Sequence, residues 1–202
     1  YDRIRLVDYN LDGYPDLYVI SESSIEVYLN EFPSTGNFST TAINLDLEMV
    51  KGTTGPTGES SMRLHLPDLN NVEQDFRIVD VNNDGYPDII ASVDEFRRVN
   101  MFCPPEESCP TTTKRYTTTQ VLVFNPENNT HENVQVFTDS SLLNHAQLGD
   151  VNGDGYVDLI YRNDDHITSA DQKLQAAWLL YLNNSEAGTA PFDYSLNIGS
   201  IA

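Results

Sequence analysis

Asp8-Tyr-Asn-Leu-Asp-Gly-Tyr-Pro-Asp16 recurs twice along this chain, as Asp80-Val-Asn-Asn-Asp-Gly-Tyr-Pro-Asp88 and as Asp150-Val-Asn-Gly-Asp-Gly-Tyr-Val-Asp158. The first aspartates stand 72 and 70 residues apart. A shared nine-residue core at that period predicts a repeat architecture in which each unit carries one copy of the same site. The pattern D-x-N-x-D-G-Y-x-D puts oxygen side chains at its first, third, fifth and ninth positions. Alternate residues of a tight loop turn inward, so these oxygens are expected to converge, and the carbonyl of the tyrosine at the seventh position can join them. With waters completing a shell of about six to eight oxygens, the donor set suits Ca²⁺ better than Mg²⁺, which prefers a rigid octahedron. The glycine at the sixth position supplies the positive φ that folds the loop back.

Three calcium sites are therefore expected. Asp8, Asn10, Asp12, Tyr14 and Asp16 form the first, and Asp80, Asn82, Asp84, Tyr86 and Asp88 the second. Asp150, Asn152, Asp154, Tyr156 and Asp158 form the third. An EF-hand would need a bidentate Glu at the twelfth loop position. Val19, Ala91 and Tyr161 stand there instead. The flanks exclude paired helices as well: Asp16–Ile20, Asp88–Ser92 and Asp158–Arg162 are short runs rich in β-branched and aromatic residues, which read as strands. Each loop is a hairpin between two strands. A metal-free Asx turn is the competing reading of any one copy, but a turn needs only one or two of these residues and all three copies keep every ligand position.

A second strand-like run follows each hairpin, at Ser24–Asn30, Thr119–Asn125 and Ala176–Asn183, and a further one at Phe38–Leu47, Asn133–Phe137 and Phe192–Ile198. Four antiparallel strands per unit is the size of a propeller blade. The expected class is all-β, with blade units over 1–72, 73–143 and 144–202. Between the strands lie segments read as loops: Lys51–Ser61, Asp94–Thr118 and Asn163–Lys173. Variable loops on a regular scaffold are where binding usually resides.

The chain carries 31 acidic and 11 basic residues, a formal charge of −20. Such a surface repels nucleic acid and anionic lipid, so the expected partner is a protein or glycan engaged through the blade loops, with no nucleic acid and no direct membrane insertion by this segment. Cys103 and Cys109 bracket a short polar stretch that one disulfide can close; two thiols with no adjacent His make an incomplete zinc site. Asn37, Asn128 and Asn183 each begin an N-glycosylation sequon. Together these features predict an extracellular or cell-surface setting. With no initiator Met and an opening inside a strand-like run, the sequence is expected to be a processed or partial piece of a longer secreted or ectodomain chain, and any transmembrane anchor would lie outside it.

The loop pattern with its apolar flanks resembles the FG-GAP repeat of integrin α-subunit propellers and related calcium-binding propellers. Leu6–Ile20 in particular is similar to repeats of the T-cell immunomodulatory protein family. The Phe-Gly and Gly-Ala-Pro elements that give the repeat its name are absent. The resemblance implies a seven-bladed propeller, of which three blades are present here, and a non-catalytic recognition or adhesion role. The sequence itself contains no G-x-S-x-G or H-E-x-x-H signature, and Asp164-Asp165-His166 reads as a solvated loop. Two other roles remain open: an accessory propeller of a larger secreted hydrolase or lyase, and a structural surface-coat protein.

Overall fold

The computed structural model describes residues 3–21, 23–50, 60–64, 76–100, 111–137, 146–163, 177–184, 190–192 and 194–199. These residues form fourteen strands and no helix, so none of them belongs to a helix long and apolar enough to cross a membrane. The fold is that of a partial β-propeller made of three blade-like sheets.

The first sheet is an antiparallel meander of β1 (Arg3–Val7), β2 (Asp16–Ile20), β3 (Ile25–Tyr28) and β4 (Ile43–Asn44). Its register runs from Val7 opposite Asp16 to Arg3 opposite Ile20, so the first aspartate-rich loop is the connection closing the β1–β2 hairpin. Alternation fixes the faces: Tyr18 and Ile20 on β2, with Ile25 and Val27 on β3, are buried, while Leu17, Val19, Glu26 and Tyr28 are half-buried on the opposite face. The third sheet repeats the meander with β11 (Gln147–Gly149), β12 (Asp158–Asn163), β13 (Ala177–Leu182) and β14 (Tyr194–Gly199).

The middle sheet elaborates this plan. Its meander is β7 (Phe76–Val79), β8 (Asp88–Asn100), β9 (Thr111–Asn125) and β10 (Thr130–Phe137). Of the stretch Asp94–Thr118, expected as a loop, the described residues 94–100 and 111–118 instead lengthen the central hairpin, whose ladder continues from Ile89 opposite Leu122 to Asn100 opposite Thr111. The threonine run explains the difference. Its β-branched side chains are stiff and favour extended backbone, and in the ladder Thr118 and Thr117 stand opposite Val93 and Asp94. The outer half of β8 takes a second partner on its β7 edge, β6 (Ser60–Leu64), with Leu64 opposite Val93; Ser60 and Ser61, expected in a loop, are thus strand. At the far edge, β5 (Asp46–Leu47) leaves the first sheet and pairs in parallel with β10. Of the run Phe38–Leu47, only β4, β5 and one bridge from Asn30 to Phe38 are strand-paired.

Two apolar layers join the sheets. Tyr18, Ile20, Ile25 and Val27 of the first sheet pack against Phe76, Ile89, Ala91 and Leu122 of the second. Ile90 and Val121, on the reverse face of that second sheet, pack against Leu159 and Tyr161 of the third. Burying each such side chain contributes about 1.5–3 kcal/mol, so a blade is held chiefly by its neighbours.

Candidate metal sites

Each loop has the same hydrogen-bond skeleton, position for position. The first aspartate accepts from two amides of its own loop: Asp8 from Asp12 N at 3.1 Å and Gly13 N at 2.8 Å, Asp80 from Asp84 N at 3.2 Å and Gly85 N at 2.8 Å. Asp150 does the same with Asp154 N and Gly155 N, at 3.2 and 3.0 Å, and accepts a third bond from Gly153 N at 2.6 Å. The Oδ1 of Asn10, Asn82 and Asn152 accepts from the amide two residues on. In the same way Asp12, Asp84 and Asp154 accept from the amides of Tyr14, Tyr86 and Tyr156 at 2.8–2.9 Å. These bonds make a coil of successive Asx turns. The coil demands left-handed backbone twice. Gly13, Gly85 and Gly155 have φ of 89°, 92° and 91°, values that side chains rarely adopt. At the fourth position Leu11 and Asn83 both sit at φ 58° and Gly153 at 80°.

The ninth position behaves differently. Asp16, Asp88 and Asp158 are fully buried, and each bridges two backbone segments. Their Oδ2 atoms accept from the second-position amides of Tyr9, Val81 and Val151 at 2.8–2.9 Å. Their Oδ1 atoms accept from Asn30, Phe124 and Asn183 N, just beyond or at the end of the third meander strand, at 2.7–2.8 Å. This aspartate therefore pins the loop to its own sheet, a role the spacing alone did not reveal. Burial pushes the Asp88 carboxyl up to about 7. Amides of Phe124 and Val81 oppose that shift, and the negative charges of Asp84 and Asp80 reinforce it, so the three carboxylates of this loop feel one another.

Among the described residues, no group of three or more His, Cys, Asp or Glu converges tightly enough to hold a metal by those side chains alone. The amide nitrogens of Asn10, Asn82 and Asn152 lie 2.8–2.9 Å from Oδ2 of Asp12, Asp84 and Asp154. The positive end of an amide dipole thus rests against an exposed carboxylate of each loop. The donor chemistry fits calcium: every side chain of the set offers oxygen, and a carboxylate oxygen holding one amide proton keeps a second lone pair.

The three loops are neighbours. A Cβ on Gly85 would lie 3.6 Å from Leu11 Cδ1, and one on Gly155 would lie 3.8 Å from Asn83 Nδ2, so the fourth residue of each loop reaches the sixth of the next. Tyr9 Oη donates to Asn129 Oδ1 at 2.9 Å, tying the first loop to the β9–β10 turn.

Of the other expected sites, Cys103 and Cys109 lie outside the described residues, as does the stretch Asp164-Asp165-His166 read as a solvated loop. Asn37 is exposed in the turn before Phe38, and Asn128 is exposed with its amide on Glu132 Oε1 at 2.9 Å. Asn183 does not suit a glycan acceptor: it is 4% exposed, and its Nδ2 donates to Val81 O at 2.7 Å and Val157 O at 3.1 Å.

Sheet architecture and repeated loop define a propeller-type repeat protein. A family model described as FG-GAP-like repeat matches residues 8–91, from the first loop into the start of the strand that follows the second. No curated protein and no solved structure matches the chain. The third loop lies beyond the matched residues, yet it carries the same hydrogen-bond skeleton.

Proposed function

We propose that this chain is a calcium-binding recognition module of the secretory pathway, with three structural calcium ions, one per loop, and no catalytic activity. The observation that supports it is the threefold recurrence of one loop skeleton with three carboxylates and one asparagine oxygen at fixed positions. In each loop an Asn N–H group lies against the fifth-position carboxylate, and a divalent cation is the stronger counter-charge for that place. Asp8, Asn10, Asp12 and Asp16 would hold the first ion with the Tyr14 carbonyl. Asp80, Asn82, Asp84 and Asp88 with Tyr86 would hold the second, and Asp150, Asn152, Asp154 and Asp158 with Tyr156 the third. When bound, the cation supplies charge neutralisation. The chain's own residues fold the loop, seat it on the sheet and place it against its neighbour.

The position of the loops supports a structural role. They bridge successive blades and their ninth residues lie in the sheets, so filling them stiffens the blade array rather than exposing an open coordination position beside an acid or base. Recognition then falls to surfaces between and above the blades, with a protein or glycan as partner. The acidic surface disfavours nucleic acid.

Calcium titration of protein stripped with EGTA tests this reading. The expected result is binding of three equivalents, with a rise in melting temperature that Asp12→Ala, Asp84→Ala and Asp154→Ala each reduce by one site. Absence of calcium binding at millimolar concentration would overturn it. Hydrolytic or lyase turnover lost on one of these substitutions would move the protein to the enzyme-linked class.

A further inference from the structure

Asn183 follows β13 in the third sheet, and two of the aspartate loops meet on it. Its backbone N–H donates to Asp158 Oδ1 at 2.8 Å, at the ninth position of the third loop. Its Nδ2 donates to Val157 O of the same loop at 3.1 Å and to Val81 O of the second loop at 2.7 Å. Val81 N in turn donates to Asp88 Oδ2 at 2.8 Å, at the ninth position of the second loop. Only Asn183 and Val81 thus stand between the buried carboxylates of the second and third loops.

All four residues of this link are buried, Asp88, Val81 and Asp158 completely. Water cannot take over a bond that lengthens there, so a shift of one loop is felt by the other. Asn183 Oδ1 is buried with no hydrogen-bond partner among the described residues, a cost that an apolar side chain of the same size would avoid. What the amide contributes is its two N–H donors, one given to each loop. The first junction has no counterpart among the described residues. Phe124 holds the Asn183 place and Tyr9 the Val81 place, and their rings meet edge-on at 5.8 Å. The polar link there, from Tyr9 Oη to Asn129 Oδ1 at 2.9 Å, ends in the β9–β10 turn and not in the second loop. A ring contact tolerates sliding that a short, directional hydrogen bond does not.

We propose that Asn183 couples the second and third loops, so that calcium at either raises the affinity of the other, while the first loop fills independently. The proposal rests on the calcium reading of the loops, and Asn183 acts in it as a positioning residue that touches no ion. An ordered second loop fixes Val81 O, and Val81 O fixes the Asn183 side chain. The same residue holds Asp158 through its backbone amide, so part of the ordering cost of the third loop is already met. Linkage makes the effect reciprocal: the third loop, once ordered, favours the second by the same factor.

Calorimetric titration of the EGTA-stripped full chain with Ca²⁺ tests this on pairs of sites. Asp12→Ala leaves the second and third sites, and Asp154→Ala leaves the first and second. Coupling of about tenfold gives the Asp12→Ala chain a Hill coefficient of about 1.5, against about 1 or less for the Asp154→Ala chain. Adding Asn183→Ala to Asp12→Ala should bring the coefficient down to about 1 with two ions still bound. If Asn183 merely supports the fold, that substitution lowers the melting temperature and leaves the coefficient where it was, which would overturn the proposal. Both pair variants keep Asn183, so their comparison decides the matter even where Asn183→Ala does not fold. Two ions bound with equal coefficients in the two pairs would overturn the coupling and leave the calcium reading intact. No calcium bound by either pair would overturn both.

Discussion

Removing the ninth-position aspartate should damage the fold far more than removing the fifth, and the third loop is the place to measure it. Asp158 is fully buried and accepts from Val151 N and Asn183 N, both at 2.8 Å. Asp158→Ala strips the acceptor from both amides, and an orphaned buried donor costs about 1–3 kcal/mol, so the expected loss is about 2–6 kcal/mol. Asp154 lies in an exposed part of the loop and accepts from Tyr156 N at 2.9 Å. Water can replace it there, which keeps the cost of Asp154→Ala near 1 kcal/mol or less. The assay is urea denaturation in EGTA followed by fluorescence of the single Trp178. With a slope of about 2 kcal/mol per molar, Asp158→Ala shifts the midpoint by roughly 1–3 M and Asp154→Ala by about 0.5 M or less. Asp158→Asn should fall between, since its amide keeps one acceptor. Calcium measured in parallel is expected to drop from three equivalents to two for both alanine variants. Equal midpoint shifts in EGTA would refute the pinning role of the ninth position.

Three further outcomes follow from particular residues. Burial drives the His131 imidazole down to about 4, against a backbone contact with Pro87 O that favours the proton. The unfolded chain gains a proton near pH 6.5 that the folded chain refuses until about 4, so stability falls across that window as pH drops, by about 3 kcal/mol at most. Asp88 acts in the opposite sense. Its raised pKa makes ionisation unfavourable in the fold, so its contribution weakens as pH rises toward 7; the His131 effect must be read as the difference between the unmodified chain and His131→Gln in EGTA, and parallel pH profiles would contradict it. Gly85→Ala, at φ 92°, should cost about 1–2 kcal/mol, whereas Leu11→Asn, which replaces a leucine held at φ 58°, should stabilise by up to about 1 kcal/mol; thermal melts with the reverse order would refute both. On secretion from a glycosylating host, peptide mapping should find glycan at exposed Asn37 and none at buried Asn183, and modified Asn183 would mean that the third sheet packs differently.

What the sequence made legible was whatever repeats. Aspartates, glycines and flanking strands recur at one spacing, so loop, hairpin and meander could all be read without coordinates. Features that do not repeat escaped. Residues 94–100 and 111–118 look polar and irregular, yet two runs of β-branched threonines there pair in register with the strand that carries Val93 and Val99, and polarity masked the β-branched signal. The parallel pairing of β5 with β10 left no local trace, because Asp46 and Leu47 find Thr130 and His131 more than eighty residues away. The ninth aspartate, expected as a ligand, stands as a buried bridge between loop and sheet, which the sequence did not reveal because burial depends on the neighbouring sheet rather than on spacing.

The residue that receives the ninth aspartate's second hydrogen bond shows how a repeat can keep its backbone and vary its interface. Asn30, Phe124 and Asn183 hold equivalent places, each giving its amide to Asp16, Asp88 or Asp158. Only the backbone amide is needed for that bond, so the side chain is left to meet the adjoining blade. Phe124 meets the first loop edge-on at Tyr9, with ring centroids 5.8 Å apart, and that contact is apolar. Asn183 instead donates to the carbonyl of Val81 in the second loop, and Val81 stands where Tyr9 stands in the first. An aromatic pair at one junction and a side-chain-to-backbone hydrogen bond at the next join the same two positions. Asn30 donates to Pro15 O, the counterpart of the Asn183 bond to Val157 O. It therefore repeats the within-blade half of the Asn183 clamp. The loop skeleton is thus the invariant of this fold, and the side chains around it set which neighbour each blade accepts.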